Sequence, residues 1–329
     1  MKVFVRNTGW VVAIVVIIRL IFFQIPAALA NHGAGTSGGG ATTVSAITQK
    51  ERTFAIGFRS EYTEFEHIGA SKLLRLGEET GDFDAVDRAF FNSIEAAYGV
   101  TDDFTLGLSL GWFEANNFRV AEVSEEDPEE IERLRGNPDG LTDLWLFGKY
   151  RVYRGLQGHV SFLGGVKFPT GRDDAKLNNG EKIEAVEQPG SGSYDFAIGI
   201  AYSRWLTERC TMDSNIQYIF RTEGARDFEI GDRFDANVAI GYPLTPIKNY
   251  PNCSVAGELN LRHLLKDEID GDKEKNSGGT TLFFSPGIRA GITRRLSAGL
   301  SVPLPIYQHV NGKQQETDFK IVLGIGYTF

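Results

Sequence analysis

From residue 52 onward the chain repeats one pattern, with large apolar residues at every second position and small or polar residues between them. In FTLGLSLGWF (104–113), Phe104, Leu106, Leu108, Leu110 and Trp112 alternate with Thr105, Gly107, Ser109 and Gly111. A period of two places all the large residues on one face of a β-strand, so that face meets an apolar medium and the other does not. Twelve such segments can be marked, with cores at 52–66, 86–99, 103–117, 142–154, 157–169, 193–206, 209–222, 230–243, 252–264, 279–293, 296–308 and 316–329. Each is long enough to cross a bilayer as a tilted strand, which takes about 9–11 residues.

The connections alternate too. VTDD (100–103), RGLQ (154–157) and TRRL (293–296) are tight turns, whereas 122–140 and 171–190 are long and polar; 243–252 is a longer member of the short side. A soluble sandwich or propeller would also have many short strands. Strict alternation of turn and loop, an even strand number and one apolar face per strand instead predict an antiparallel transmembrane β-barrel with periplasmic turns and external loops. Lipid leaves no strand edge unpaired, so the last strand must close on the first. In that last strand Ile321, Leu323, Ile325, Tyr327 and Phe329 share the lipid phase, opposite Lys320, Val322, Gly324, Gly326 and Thr328.

The inward phase carries charge of both signs: Arg59 and Glu61 on the first strand, Glu95 on the second, Lys149 and Arg151 on the fourth. It continues with Lys167 on the fifth, Asp195 on the sixth, Asp213 and Arg221 on the seventh, Asp235 on the eighth, Glu258 and Arg262 on the ninth, and Arg289 on the tenth. On the lipid face each charge would cost about 2–4 kcal/mol at mid-bilayer, so they mark a polar lumen. They are either ion pairs that brace the wall or the lining of a solute path. Mixed sign argues against strong selection for anions or cations.

Residues 1–30 read as a signal peptide, with Lys2 and Arg6 ahead of an apolar stretch and ALA (28–30) as the cleavage site, although Arg19 interrupts the run. Residues 31–51 form a small, Gly-rich, weakly charged segment that either hangs in the periplasm or folds into the lumen as a plug. The barrel itself is expected over 52–329. The whole chain carries 34 basic and 43 acidic residues; without the three cations of 1–30 it holds 31 against 43, near −12. No basic surface for nucleic acid is expected. The expected partners are the outer-membrane bilayer, its assembly machinery and a small-molecule solute, with no cofactor and no metal. Oligomeric state is not legible.

Export makes a disulfide permissible. Cys210 and Cys253 are the two cysteines, and both fall at periplasmic strand ends with one strand between them. Strand spacing alone separates them by about 9–10 Å, beyond the roughly 7 Å limit for a bridge, unless the 243–252 turn folds Cys253 across. Catalysis is disfavoured. His159 and Ser161 share a strand face, but it is the lumen face, and no third orienting group accompanies them. A structural or adhesive barrel acting through acidic external loops such as 124–130 and 267–276 stays open as an alternative to a channel.

KFPTGRDD (167–174), with Pro169, Thr170 and Gly171, resembles the K-x-P-T-G signature of the MetA-pathway phenol-degradation family of outer-membrane proteins. The blocks at 190–206, 278–293 and 300–329 are similar to that family's later motifs in the same order. The resemblance implies a Gram-negative outer-membrane channel or transporter of twelve strands, tied to small, often aromatic or hydrophobic compounds. The ending resembles the recognition signal of outer-membrane assembly, a role that falls on Ile325, Tyr327 and Phe329.

Overall fold

The computed structural model describes residues 40–123 and 131–329. The expected signal peptide, the first part of the Gly-rich segment and the acidic run at 124–130 lie outside the described residues.

Twelve wall strands follow the alternation: β1 (Phe54–Phe65), β2 (Arg88–Thr101), β3 (Phe104–Asn116), β4 (Leu144–Gly155), β5 (Gly158–Phe168) and β6 (Asp195–Trp205). They continue as β7 (Thr211–Phe220), β8 (Arg233–Pro243), β9 (Asn252–Leu264), β10 (Gly279–Gly291), β11 (in two pieces, Leu296–Ser301 and Leu304–Val310) and β12 (Thr317–Thr328). Sequential neighbours pair antiparallel, and β12 pairs with β1 from Ala55↔Thr328 to Phe65↔Thr317. The barrel is therefore closed, as the backbone needs in a medium without water. Ile56, Phe58, Leu106, Leu108, Ile198, Ile200, Ile321 and Ile325 are exposed on its outer face, while their sequence neighbours Ala55, Thr105, Ala197, Ala201 and Val322 are buried inside. This is a membrane-spanning barrel, and its apolar belt is the surface lipid covers. No helix among the described residues is long and apolar enough to cross a membrane.

One stretch of wall is incomplete. The first piece of β11 pairs with both β10 and β12, whereas Leu304–Val310 pairs with β10 alone. Pro303 and Pro305 stand at this break, and proline has no N–H to give a ladder. Across the gap, Lys320 N–H donates to the Pro303 carbonyl at 2.9 Å. The Gln308 amide donates to the Thr317 carbonyl at 2.9 Å and accepts from its N–H at 3.1 Å. A side chain thus substitutes for missing backbone pairing along a seam on the external half.

The external loops are more than solvated connections. Helix α1 (Ala70–Thr80) lays Leu73 and Leu76 on a three-stranded sheet built from Asp82–Ala85, Phe118–Val123 and Ile131–Gly136, against Phe83, Ala85 and Ala121. The contact is close at Gly77, where a Cβ would lie 2.4 Å from the Ala121 carbonyl oxygen. The sheet's other face packs Phe118, Val120 and Leu134 on Ala175, Leu177 and Ile183 of the loop between β5 and β6. Burying each large side chain contributes about 1.5–3 kcal/mol, so a cap with two small cores covers one side of the mouth. Beside these cores sit carboxylates. Burial, then the charges of Glu187 and Asp82, hold the Asp84 carboxyl well above its ordinary range. Burial, then Asp267, push Glu187 up to about 7. The carboxylate-rich 267–276 stretch folds as a small ribbon with Glu268–Ile269 paired to Asp272–Lys273 and to Phe228–Glu229.

Candidate functional site

Residues 40–50, GATTVSAITQK, lie inside the barrel. They are small enough to thread it, and Thr43, Ser45, Ala46 and Thr48 are all buried. The inward polar phase holds their backbone. Glu258 accepts hydrogen bonds from the N–H groups of Ala41, Thr42 (3.2 Å) and Thr43 (3.1 Å) and from the Thr43 hydroxyl (3.0 Å). Asn215 accepts from Val44 N–H at 2.8 Å, and Ser203 from Ala46 N–H at 2.8 Å. Lys149 donates to the carbonyls of Ser45 (2.7 Å) and Ile47 (3.1 Å), and Ser161 to that of Ala46. Thr105 accepts from Gln49 N–H at 2.8 Å. The segment then crosses Gly99, where a Cβ would sit 2.0 Å from the Lys50 carbonyl oxygen. A buried extended chain has no sheet to satisfy its backbone, so side chains must do it; here the inner faces of β3–β7 and β9 supply them.

The charged residues picked out by alternation are brought into several local networks. Arg59 and Lys320 flank Glu61, each at 2.7 Å, and Arg59 also donates to the Ala41 carbonyl. Glu95 is half-buried on β2, opposite Gly57 of β1. Arg151 pairs with Asp103 at 2.7 Å, and Asp213 accepts from the Ser203 hydroxyl. Asp235 sits between Arg233 (2.7 Å) and Arg262 (3.5 Å). Lys167 is buried between Asp195 (2.6 Å) and Asp143 (3.2 Å). Arg221 lies one residue beyond β7, with its guanidinium on the Gly231 carbonyl at 3.1 Å. Arg289 differs from the rest, because its Nη2 is buried and has no hydrogen-bond partner.

The motif 169–171 builds structure around Asp143. Gly171 N–H donates to Asp143 at 2.9 Å, Thr170 Oγ1 accepts from Leu144 N–H at 3.0 Å, and Ser191 donates to Asp143 through both N–H (3.0 Å) and hydroxyl (2.9 Å). Buried Lys167 neutralises that carboxylate, so the motif ties the start of β4 to the loop after β5.

Three features escaped sequence reasoning. The uncharged inward ladder of Ser203, Asn215, Asn237, Asn260 and Ser285, which continues from Ser161, shares the phase of the charges, so the same alternation could have found it. Lys320 was placed inward but not joined to Glu61. Asp143 lies one residue ahead of β4 but in phase with Lys149 and Arg151, so the alternation could have placed it inward as well. The two thiols are free. Thr211 pairs with Gly241 and Tyr242 with Val255, which puts Cys253 two residues out of step with Cys210 as well as two strands away. The turn at 243–252 does not close that gap. Among the described residues no cluster of three His, Cys, Asp or Glu side chains could hold a metal ion.

The family described as "MetA-pathway of phenol degradation" matches residues 29–308. The chain belongs to this family. Among solved structures, the COG4313 outer membrane channel from Pseudomonas putida F1 overlays with a TM-score of 0.57 at 15% identity, covering 86% of this chain and 98% of that one. The CymD monoaromatic hydrocarbon channel overlays more loosely, with a TM-score of 0.48 at 12% identity over 92% and 98% of the two chains. No curated protein sequence matches this chain. The family member described here thus has the fold of outer-membrane channels and sits in the bacterial outer membrane.

Proposed function

We propose that the protein is a channel for small solutes, hydrophobic or aromatic ones among them, and that residues 40–50 are its plug. The observation that carries this reading is the run of hydrogen bonds from inward side chains to the backbone of 40–50. A barrel with a purely structural task needs no such threaded segment, and one that conducts freely would not hold a segment hydrogen-bonded along its inner wall. Each bond is replaceable by water once the segment moves, so docking is reversible at modest cost. The charged networks of the inner wall then line the path that opens, and Lys167 with its motif braces the external end. The seam between β11 and β12 supports passage of apolar solutes, because over its external half a side chain, rather than a ladder, joins the two strands.

Liposome swelling with a solute panel tests the proposal, using the purified protein with and without residues 31–49. Uptake by the intact protein, faster after the deletion, is the expected result. Swelling no faster than empty liposomes in both forms would overturn the channel and leave a structural barrel acting through its cap. Equal swelling of both forms would remove the plug.

A further inference from the structure

The plug does not fill the barrel. It rests against β3–β7 and β9, and on its other side a cavity of about 690 Å³ remains, within the size range of small-molecule sites. The reason lies in the sequence. Inward positions of the facing strands are small, as with Ala256 on β9, Gly287 on β10, Ser297 and Gly299 on β11, and Gly324 on β12. Glu258 and Arg59 reach across to the backbone of residues 41–43, and both line the cavity together with Arg289.

The charges around this space are unevenly committed. Glu258 spends its carboxylate on the plug amides. Arg59 is matched by Glu61 and Arg151 by Asp103. Arg289 has no carboxylate within ion-pair distance among the described residues, and its buried Nη2 has no hydrogen-bond partner. Arg294 and Arg295 line the same cavity at the β10–β11 turn, together with Lys50. An interior guanidinium whose nearest opposite charges, Glu258 and Asp213, lie beyond ion-pair distance is costly, and its planar donor fork matches a carboxylate. The lumen is mixed in sign as a whole, yet its unfilled part is cationic.

We propose that this cavity is a binding site for a small organic carboxylate, with Arg289 as its anchor. The proposal rests on the channel reading and narrows it, since the solute passing the plug would be an acid whose ring or chain lies over the small residues of β10–β12.

Equilibrium dialysis of the purified full-length protein would compare benzoate with its uncharged analogue benzamide and with benzylammonium. The expected order is benzoate tighter than benzamide by at least about tenfold, with benzylammonium unbound. Arg289→Gln should abolish the preference and Arg289→Lys should retain part of it, while Arg209→Gln, in the exposed β6–β7 turn and outside the cavity lining, leaves binding as in the parent. Folding of each variant is read from heat-modifiable gel mobility. Should Arg289→Gln not fold, chloride over potassium selectivity of the parent in a planar bilayer, blocked by added benzoate, supports the site on its own. Equal affinity for benzoate and benzamide, or a preference that survives Arg289→Gln, overturns it. Swelling with neutral solutes but without carboxylate preference overturns the site and leaves the channel. Carboxylate binding without uptake of any solute supports the site and removes the channel.

Discussion

The docking of the plug can be tested at one atom pair. Glu258 is 2% exposed, and its two oxygens receive three backbone N–H groups and one hydroxyl from residues 41–43. Glu258→Gln keeps the shape of the side chain but removes the charge. It also turns one acceptor into an NH₂ group facing N–H donors. A hydrogen bond to a charged group contributes about 1.5–3 kcal/mol and a neutral one about 0.5–1.5 kcal/mol. One contact is lost outright and the others fall to the neutral value. The docked state therefore weakens by about 6 kcal/mol, on the order of ten-thousandfold in the ratio of docked to undocked segment.

Single-channel recording in a planar bilayer reads that ratio directly. The parent should show a low conductance with rare large openings, the deletion of 31–49 a steady high conductance, and Glu258→Gln frequent transitions between the two levels. The deletion sets the ceiling, so the outcomes separate. If it conducts strongly while Glu258→Gln traces match the parent, the carboxylate is not the latch and the hydrogen-bond arithmetic is wrong. If the deletion leaves the conductance unchanged, the segment is not a plug at all.

Three further outcomes are expected. Phe329 donates its N–H to the Phe54 carbonyl at 2.8 Å and packs its ring on Phe54 and Tyr327 at 5.6 and 4.9 Å. Deleting it should cost the finished barrel only about 1–3 kcal/mol but remove most of the membrane-inserted yield, as read by heat-modifiable mobility, with swelling per assembled barrel unchanged. The cap should loosen as pH rises. Glu187 sits at about 7 against an ordinary 4.5, so the packed cap binds its proton more tightly than the loosened one. Its contribution to cap stability is full below about 4.5 and lost as pH rises through 7. Limited proteolysis of the 171–193 loop should thus be slower at pH 5 than at pH 8, and Glu187→Gln should narrow that difference, leaving the part due to Asp84 and Glu184, whose carboxyls burial also raises. Gln308→Leu removes the two seam hydrogen bonds, worth about 1 kcal/mol each, so amide exchange at Thr317 should speed up roughly thirtyfold; an unchanged rate would mean that the seam is held by something else.

The barrel was legible because lipid imposes one rule on every strand. Ile325 and Gly324 must differ in kind when one faces hydrocarbon and the other the lumen, and that contrast repeats along all twelve strands. Closure followed from the same rule, and the pairing Ile56↔Tyr327 meets it. The cap was not legible, since Leu73 and Leu76 of α1 and Val120 of its sheet answer to a local core of a few residues. Within so short a stretch, apolar spacing does not separate a packed loop from a solvated one. The seam was hidden for another reason: Pro303 and Pro305 fall inside the 296–308 segment, which alternation reads as one strand, and only the pairing partners show that one edge is left open.

The lumen was half legible. Alternation placed Lys149, Glu258 and Arg289 inside the barrel and could say nothing of what each would meet there. Phase along a strand gives direction, whereas partners depend on which strands curve together and on what passes between them. Lys149 and Glu258 stand on different strands, and a single threaded segment unites them by using one as donor to its carbonyls and the other as acceptor from its N–H groups. That segment was open to two readings precisely because small, uncharged residues carry no periodic demand of their own. The same smallness lets 40–50 lie close against one side of the barrel, and the small inward residues of β10–β12 leave room on the other. Plug and cavity are thus consequences of one choice of side-chain size on opposite walls, and Arg289 is the charge stranded in the space between.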